Sequence, residues 1–388
     1  MRFDYIIKNG RIIDPSQNLD AVQDIYIRNS RVVSLPNGET AECEHIIDAE
    51  GCIVTPGWID FHTHLFREGS NICIDPDMMV AQGTTAAVDA GSAGSATYEA
   101  FYKSVIAQSM IRVKAFLTLY AGGQLDPKLL EDFNPKLYNF DKIERIVEKH
   151  TDDLLGFKVR ISRGVVPDDK GMDYLKAVVD AANTIGEKVG RHLRVCVHTT
   201  NSPMSAGELA SALRAGDIFC HCFQGAGNTI VLEDGRIDAG IIEARKRGVI
   251  FDSANGKGNF GVRTAEKALA AGFKPDIIST DLTVDKFNMP PYCKNLPTLL
   301  SKYVTLGMDL TDIVRCVTET PAKIMGLEGK IGTLKVGAFA NVTIMKSKQV
   351  KIMHKDFKDD ELIGDILLVP QMTLIDGEIQ YCQTDFWY

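Results

Sequence analysis

The rhythm of apolar and polar positions changes twice along the chain. From residue 1 to about 54, short apolar runs alternate with turn signals. Tyr5-Ile6-Ile7-Lys8 meets Asn9-Gly10 and then Arg11-Ile12-Ile13, and Asp24-Ile25-Tyr26-Ile27 meets Arg28-Asn29-Ser30 and then Arg31-Val32-Val33. Asn-Gly between apolar runs is a hairpin signal. The C-terminal end reads similarly, with Asn341-Val342-Thr343-Ile344-Met345, then Thr373-Leu374-Ile375 before Asp376-Gly377 and Ile379. Neither end has enough strands to bury a sheet alone. The two ends are therefore expected to meet in one small β-sandwich domain, residues 1–54 plus 328–388, leaving 55–327 as a separate unit.

The middle has a different rhythm. β-like runs at 58–61, 85–89, 113–119, 155–159, 194–198, 218–221, 249–252 and 277–281 alternate with helical segments at 97–110, 141–149, 173–188, 205–214, 241–247 and 264–271. Eight such runs predict an α/β fold, a (β/α)8 TIM barrel. A doubly wound sheet is the alternative, but its Gly-x-Gly-x-x-Gly turn after a first strand is missing.

Composition narrows the class. A length of 388 residues fits one large domain and one small one. The net charge of -8 argues against nucleic acid and against an anionic membrane surface. There is no apolar run of about 18 residues that would cross a membrane. The start, Met1-Arg2-Phe3-Asp4-Tyr5, lacks the apolar stretch of a signal peptide, so a cytoplasmic location is expected. The nine cysteines are scattered, with no Cys-x-x-Cys pair, and are expected to be reduced. Cys196, Cys220 and Cys222 sit beside His198 and His221 and read as small apolar packing groups.

Chemistry in such a barrel belongs to one end of the strands. The first run leads from Pro56-Gly57 through Trp58-Ile59-Asp60-Phe61 to His62-Thr63-His64. In an extended chain residues i and i+2 share a side, so both imidazoles aim at one point. Alone, the pair reads equally well as two solvated histidines on a surface strand. The fourth run carries Lys158, the fifth ends in His198, the sixth in His221 and the eighth in Asp281. Four histidines and an aspartate could hold one or two divalent cations such as zinc, iron, nickel or manganese. An ammonium cannot ligate. Lys158 makes sense in that company only if carbon dioxide adds to its amine, giving an anionic carbamate with two oxygens.

The ordered set His62, His64, Lys158, His198, His221 and Asp281 resembles the amidohydrolase superfamily in its binuclear branch. So does Gly329-Lys330-Ile331-Gly332-Thr333-Leu334-Lys335-Val336-Gly337-Ala338, where such chains re-enter the small domain. Gly156-Phe157-Lys158-Val159-Arg160, His221-Cys222-Phe223-Gln224-Gly225 and Asp89-Ala90-Gly91-Ser92-Ala93-Gly94 are most similar to its dihydroorotase-like, deacetylase group. The resemblance implies two metal ions, zinc first among them, bridged by the Lys158 carbamate. It implies an activated water attacking an ester or amide carbonyl, with Asp281 shuttling the proton. The expected substrate is a small carboxylate-bearing molecule that loses an acyl group. A cyclic amidase of the dihydroorotase or hydantoinase kind is the alternative. Neutral imidazoles are needed for ligation, so activity should fall at acid pH. A homo-oligomer is expected.

One departure bears on the substrate. The group commonly has Asp-x-x-His-Gly after its seventh strand; here Asp252-Ser253-Ala254-Asn255-Gly256 puts Asn255 at the histidine position. Candidate substrate contacts are Arg160, on the same face as Lys158, together with Gln224, Gly225 and Asn255 in the following loops. Each reading has a plain rival: a helix N-cap for Asp281, a packed core histidine for His221, a surface strand lysine for Lys158 and a rim salt bridge for Arg160. His45, His150, His192 and His354 fall outside strand ends and read as surface or structural.

Overall fold

Apolar residues at consecutive positions make the middle strands buried on both faces, as strands of a parallel sheet must be. The computed structural model describes residues 1–126, 128–129, 131–287, 289–292 and 294–387. Seven parallel strands follow in order: β1 (Trp58–Thr63), β2 (Thr84–Gly94), β3 (Arg112–Thr118), β4 (Leu154–Arg160), β5 (Arg194–His198), β6 (Ile218–Phe219) and β7 (Ile250–Phe251). Every residue of β1 and β2 is buried. Ile59, Phe61, Val88, Phe116 and Ile218 share an inner core with Cys196 and Cys220. Their neighbours Trp58, Ala87, Leu117, Val159 and Val197 pack outward with helix residues such as Ile143, Leu175 and Val178.

The eighth run is not a full strand, yet it closes the ring. Ile277 bridges Asp252 after β7, and Leu282 bridges Thr63 of β1. Asp281 N donates to His62 O at 2.7 Å, and His64 N donates to Leu282 O at 3.1 Å. Asp60, buried on β1, accepts from Thr280 N at 3.0 Å and Thr280 Oγ1 at 2.6 Å, pinning the same seam. The expected barrel is therefore present.

Besides a two-stranded pair, Arg2–Phe3 with Glu42–Cys43, the chain ends form two larger sheets. One holds four strands from residues 5–48. The other holds six and mixes both ends: Arg11–Asp14, Leu19–Val22 and Ile53–Pro56 join Val342–Lys355, Glu361–Ile375 and Glu378–Cys382. Ile7, Ile27 and Ile47 of the first share an apolar core with Ile12, Val54, Ile344 and Leu374 of the second. Buried Asp14 binds Leu334 N at 2.7 Å and Thr333 Oγ1 at 3.1 Å, tying the two ends together.

Two turn readings hold and one does not. Asn29-Ser30, both at positive φ, joins Ile25–Arg28 to Arg31–Val33, and Asp376-Gly377 joins Ile375 to Glu378. The Asn9-Gly10 hairpin does not form: Tyr5–Lys8 pairs with Ile25–Arg28 and Ile46–Asp48, whereas Arg11–Asp14 pairs with Leu19–Val22 and Ile53–Pro56. The left-handed turn at Asn9 carries the chain from one sheet into the other. A Cβ on Gly10 would lie 2.5 Å from Val54 Cγ2, so the turn is pressed against the shared core. Ile6 and Ile7, like Ile12 and Ile13, are buried in succession, and the alternation a half-exposed hairpin requires is lost. Among the described residues no helix is long and apolar enough to cross a membrane.

Candidate metal centre and substrate cavity

The side chains at the strand ends converge. His62, His64 and Asp281 offer ligand atoms within 4.8 Å of one another. Asp281 Oδ1 lies 3.4 Å from His64 Nε2 and 3.8 Å from His62 Nε2. Lys158 Nζ sits 3.1 Å from His62 Nε2, and His221 Nε2 lies 2.8 Å from His198 Nδ1. All six residues of the expected donor set thus meet at one mouth of the barrel. They come from β1 and the residue after it, β4, β5, the second residue after β6 and the eighth run.

The backbone accommodates this at a cost. His221 (φ 58), Ala254 (φ 37) and Asp281 (φ 52) adopt left-handed conformations that non-glycine residues avoid. Gly91 on β2, at φ 90, makes room for Lys158: a Cβ there would lie 2.4 Å from the Lys158 Cβ.

Three imidazoles have the second ring nitrogen held. His62 Nδ1 faces Asp252 Oδ2 at 3.2 Å, His64 Nδ1 meets Ser92 Oγ at 2.9 Å, and His221 Nδ1 meets Ala254 O at 2.6 Å. Ser92 is itself fixed by Asp89 through Oγ and N, both at 2.7 Å. Such partners set the ring orientation and the tautomer of a ligating histidine. The donor chemistry therefore fits a divalent metal centre.

Electrostatics agree. Burial, reinforced by Lys158, holds His62 well below its ordinary pKa, and burial with His221 does the same to His198. Burial and Lys158 push His221 down to about 3. These rings are thus neutral, as ligation requires. Burial pushes the Asp281 carboxyl up, but the Lys286 ammonium, with the hydrogen bond from His64, more than offsets it and holds the group ionised. Burial likewise lowers Lys158, and the acid-rich surroundings, Cys196 and Cys220 first, outweigh it and raise it.

A cavity of about 470 Å³ opens over this cluster. Arg160 lines it, with one guanidinium nitrogen 2.5 Å from Glu131 Oε1. Gln224, Gly225 and Asn255 are not among its walls. Gln224 spends its amide on Asn228 O and Ala226 N, and Gly225 packs against Phe357 and Gly261. Asn255 donates to Ser253 Oγ and Tyr303 OH, both at 3.0 Å. Three residues not anticipated stand at the site. Asn259 Nδ2 and Lys286 Nζ hold Asp281 Oδ2 at 2.7 and 3.0 Å, and Glu131 pairs with Arg160. All three lie in loops, where no periodicity flags them; only the charge of Glu131 and Lys286 could have drawn notice.

A closed parallel barrel with imidazoles, a lysine and a carboxylate at one mouth is the architecture of metal-dependent barrel hydrolases. The chain belongs to the amidohydrolase family, whose model matches residues 53–379. A deacetylase of Agrobacterium fabrum is 30% identical over 336 residues, covering 86% of this chain and 80% of that protein. A solved adenine deaminase superposes with a TM-score of 0.85 at 26% identity, covering 98% of this chain and 100% of that one. A solved dihydroorotase gives 0.84 at 26%, covering 98% and 99%. The protein is thus a hydrolase of this family.

Proposed function

We propose that the protein is a two-metal deacylase that removes a small acyl group from a carboxylate-bearing small molecule. The observation that supports this most directly is the convergence of His62, His64 and Asp281 within ligand distance of one another, beside Lys158 and the His198–His221 pair. In this reading His62, His64, His198, His221, Asp281 and a carbamate on Lys158 hold two divalent ions, zinc in the first instance. When bound, such ions bring the pKa of a water towards neutrality and polarise the carbonyl. Asp281 accepts the water's proton and delivers it to the leaving amine or alkoxide. The carbonyl–heteroatom bond breaks, the leaving group takes the proton from Asp281, and the acyl group departs as a carboxylic acid carrying the water oxygen, which then loses its own proton to solvent. Asn259 and Lys286 keep the Asp281 carboxylate oriented during both transfers.

Arg160 is our choice for contact with the substrate, ahead of Gln224, Gly225 and Asn255. The deacetylase relative favours a linear acyl substrate, and the dihydroorotase-like structure keeps the cyclic amide as the second reading. Rates on N-acetyl and O-acetyl acids against dihydroorotate and hydantoin separate the two. Ring opening far faster than deacylation would overturn the first reading.

We also propose that the two terminal sheets form one β-sandwich unit, residues 1–54 plus 328–388, beside a barrel of 55–327; their shared core supports it. Finally, the protein acts in the cytoplasm as a homo-oligomer. Val350, Met353 and Ile363, exposed on the long terminal strands, support self-association. Sedimentation showing only single chains at micromolar concentration would count against it.

A further inference from the structure

The cavity wall beyond β4 contains an unmet demand. Glu131 comes from the loop after β3, and its side chain is 2% exposed. Oε1 accepts from Arg160, while Oε2 is buried with no donor among the described residues. Two more polar atoms of the same cavity, Ser162 Oγ and Thr200 Oγ1, are also buried without a partner among the described residues. A buried carboxylate oxygen without a donor is costly, so such an atom in a binding cavity points to a ligand that supplies one.

Resting on the deacylase reading above, we propose that this wall binds the free α-amino acid head of a substrate whose acyl group sits on its side chain. The head's ammonium donates to Glu131 Oε2, and its carboxylate faces the free part of the Arg160 fork. The Ser162 and Thr200 hydroxyls can each donate or accept and complete the cradle.

Charge decides between this head and a simple carboxylate. Glu131 neutralises Arg160, so the pair as a unit has no net charge. A lone carboxylate brought to Arg160 would meet the buried Glu131 at the same place, a like-charge approach that costs affinity. A zwitterion satisfies both members at once through charge-assisted bonds. Spacing agrees. Arg160 lies two residues beyond Lys158, and a strand rises about 3.3 Å per residue, so the two backbone positions stand roughly 7 Å apart, which sets the scale between head and reacting centre. A few methylenes span that distance, as in lysine or ornithine acylated on the terminal amine.

The test uses the metal-loaded full-length protein. Calorimetry compares L-lysine with Nα-acetyl-L-lysine, which keeps the carboxylate and the side-chain amine but loses the α-ammonium. L-lysine is expected to bind tighter by roughly tenfold or more, the range of a charge-assisted hydrogen bond. In Glu131→Gln, which keeps an acceptor for Arg160, that ratio should shrink towards one. Turnover should show the same preference, with Nε-acetyl-L-lysine ahead of Nα-acetyl-L-lysine in kcat/KM. Equal affinity for the two heads, affinity for neither, or a ratio that survives in Glu131→Gln overturns the proposal. If that variant does not fold, the wild-type ratio decides alone. Failure of the deacylase reading has another signature: no acetyl substrate, 4-nitrophenyl acetate included, is hydrolysed, while the binding ratio is still measurable.

Discussion

At the scale of single residues, Lys158 is the most exposed to refutation. It is buried among acids and soft donors, and an alanine there leaves His62 and Asp281 without the group that would bridge two ions. Lys158→Ala should lose metal and at least about a hundredfold in activity, with partial rescue by acetate or propionate, which supply the missing carboxylate. Elemental analysis beside the rate assay checks this, and full metal content in the mutant would sink the carbamate role. Lys286 predicts a pH effect. Its ammonium, 3.0 Å from Asp281 Oδ2, helps to depress a carboxyl that burial alone would raise. Lys286→Met should raise the Asp281 pKa, so the ionised base is lost at higher pH and the acid limb of kcat/KM moves up. An unmoved limb would show that Lys286 only lines the loop. The residues of the converging cluster were legible in the sequence because barrel geometry places them at the ends of recognisable strands. Glu131, Asn259 and Lys286 were not, because loop side chains find partners through tertiary placement that leaves no period.

At the scale of elements, the strands carry the site by close approach. Gly91 lets β2 run against the Lys158 side chain, and its φ of 90 is one that L side chains rarely adopt. Gly91→Ala should therefore cost about 1–3 kcal/mol through strain and overlap and displace Lys158. Thermal unfolding with a metal titration reads both effects; a variant with wild-type stability and metal content would refute the tight-fit account. Elements also show where pattern reading stops. Runs four and five were legible nearly to the residue, since long buried strands leave little choice. The segment at 97–110 became a helical turn, Tyr98–Phe101, followed by a wider π turn, Tyr102–Ile106. The eighth run kept its place without forming a full strand: among the described residues Ile277 bridges Asp252, Leu282 just past the run bridges Thr63, and the backbone turns left-handed at Asp281 between them. Asn9-Gly10 misled for a related reason: the same turn chemistry serves a hairpin or a crossing between sheets, and long-range packing chooses.

At the scale of the whole molecule, the terminal sheets and the barrel are joined by contacts that should make acid unfolding cooperative. Asp356, just past Val342–Lys355, accepts from Val262 N at 2.8 Å. Leu368 N donates to Ser301 Oγ at 2.9 Å, and Thr373 Oγ1 donates to Val80 O at 2.9 Å. His354 lies at this seam, 1% exposed, with neither ring nitrogen hydrogen-bonded among the described residues. Burial, with Lys302 adding repulsion, pushes its pKa down to about 3 from 6.5. Between those values the unfolded chain binds a proton that the folded chain refuses. The contribution is therefore absent above about pH 6.5, and stability falls as pH drops through the window, by about 1.4 kcal/mol per pH unit for one such group. His354→Leu removes that proton site while leaving an apolar group of similar size. Urea titrations at successive pH values should show a stability slope between pH 6 and 4 that is shallower in the variant by roughly one proton. The centre at His62 and His198 should be unaffected at neutral pH, so activity there should stay near wild type. An unchanged slope would mean that His354 takes up its proton by opening locally, with the terminal strands parting from the barrel before either unfolds.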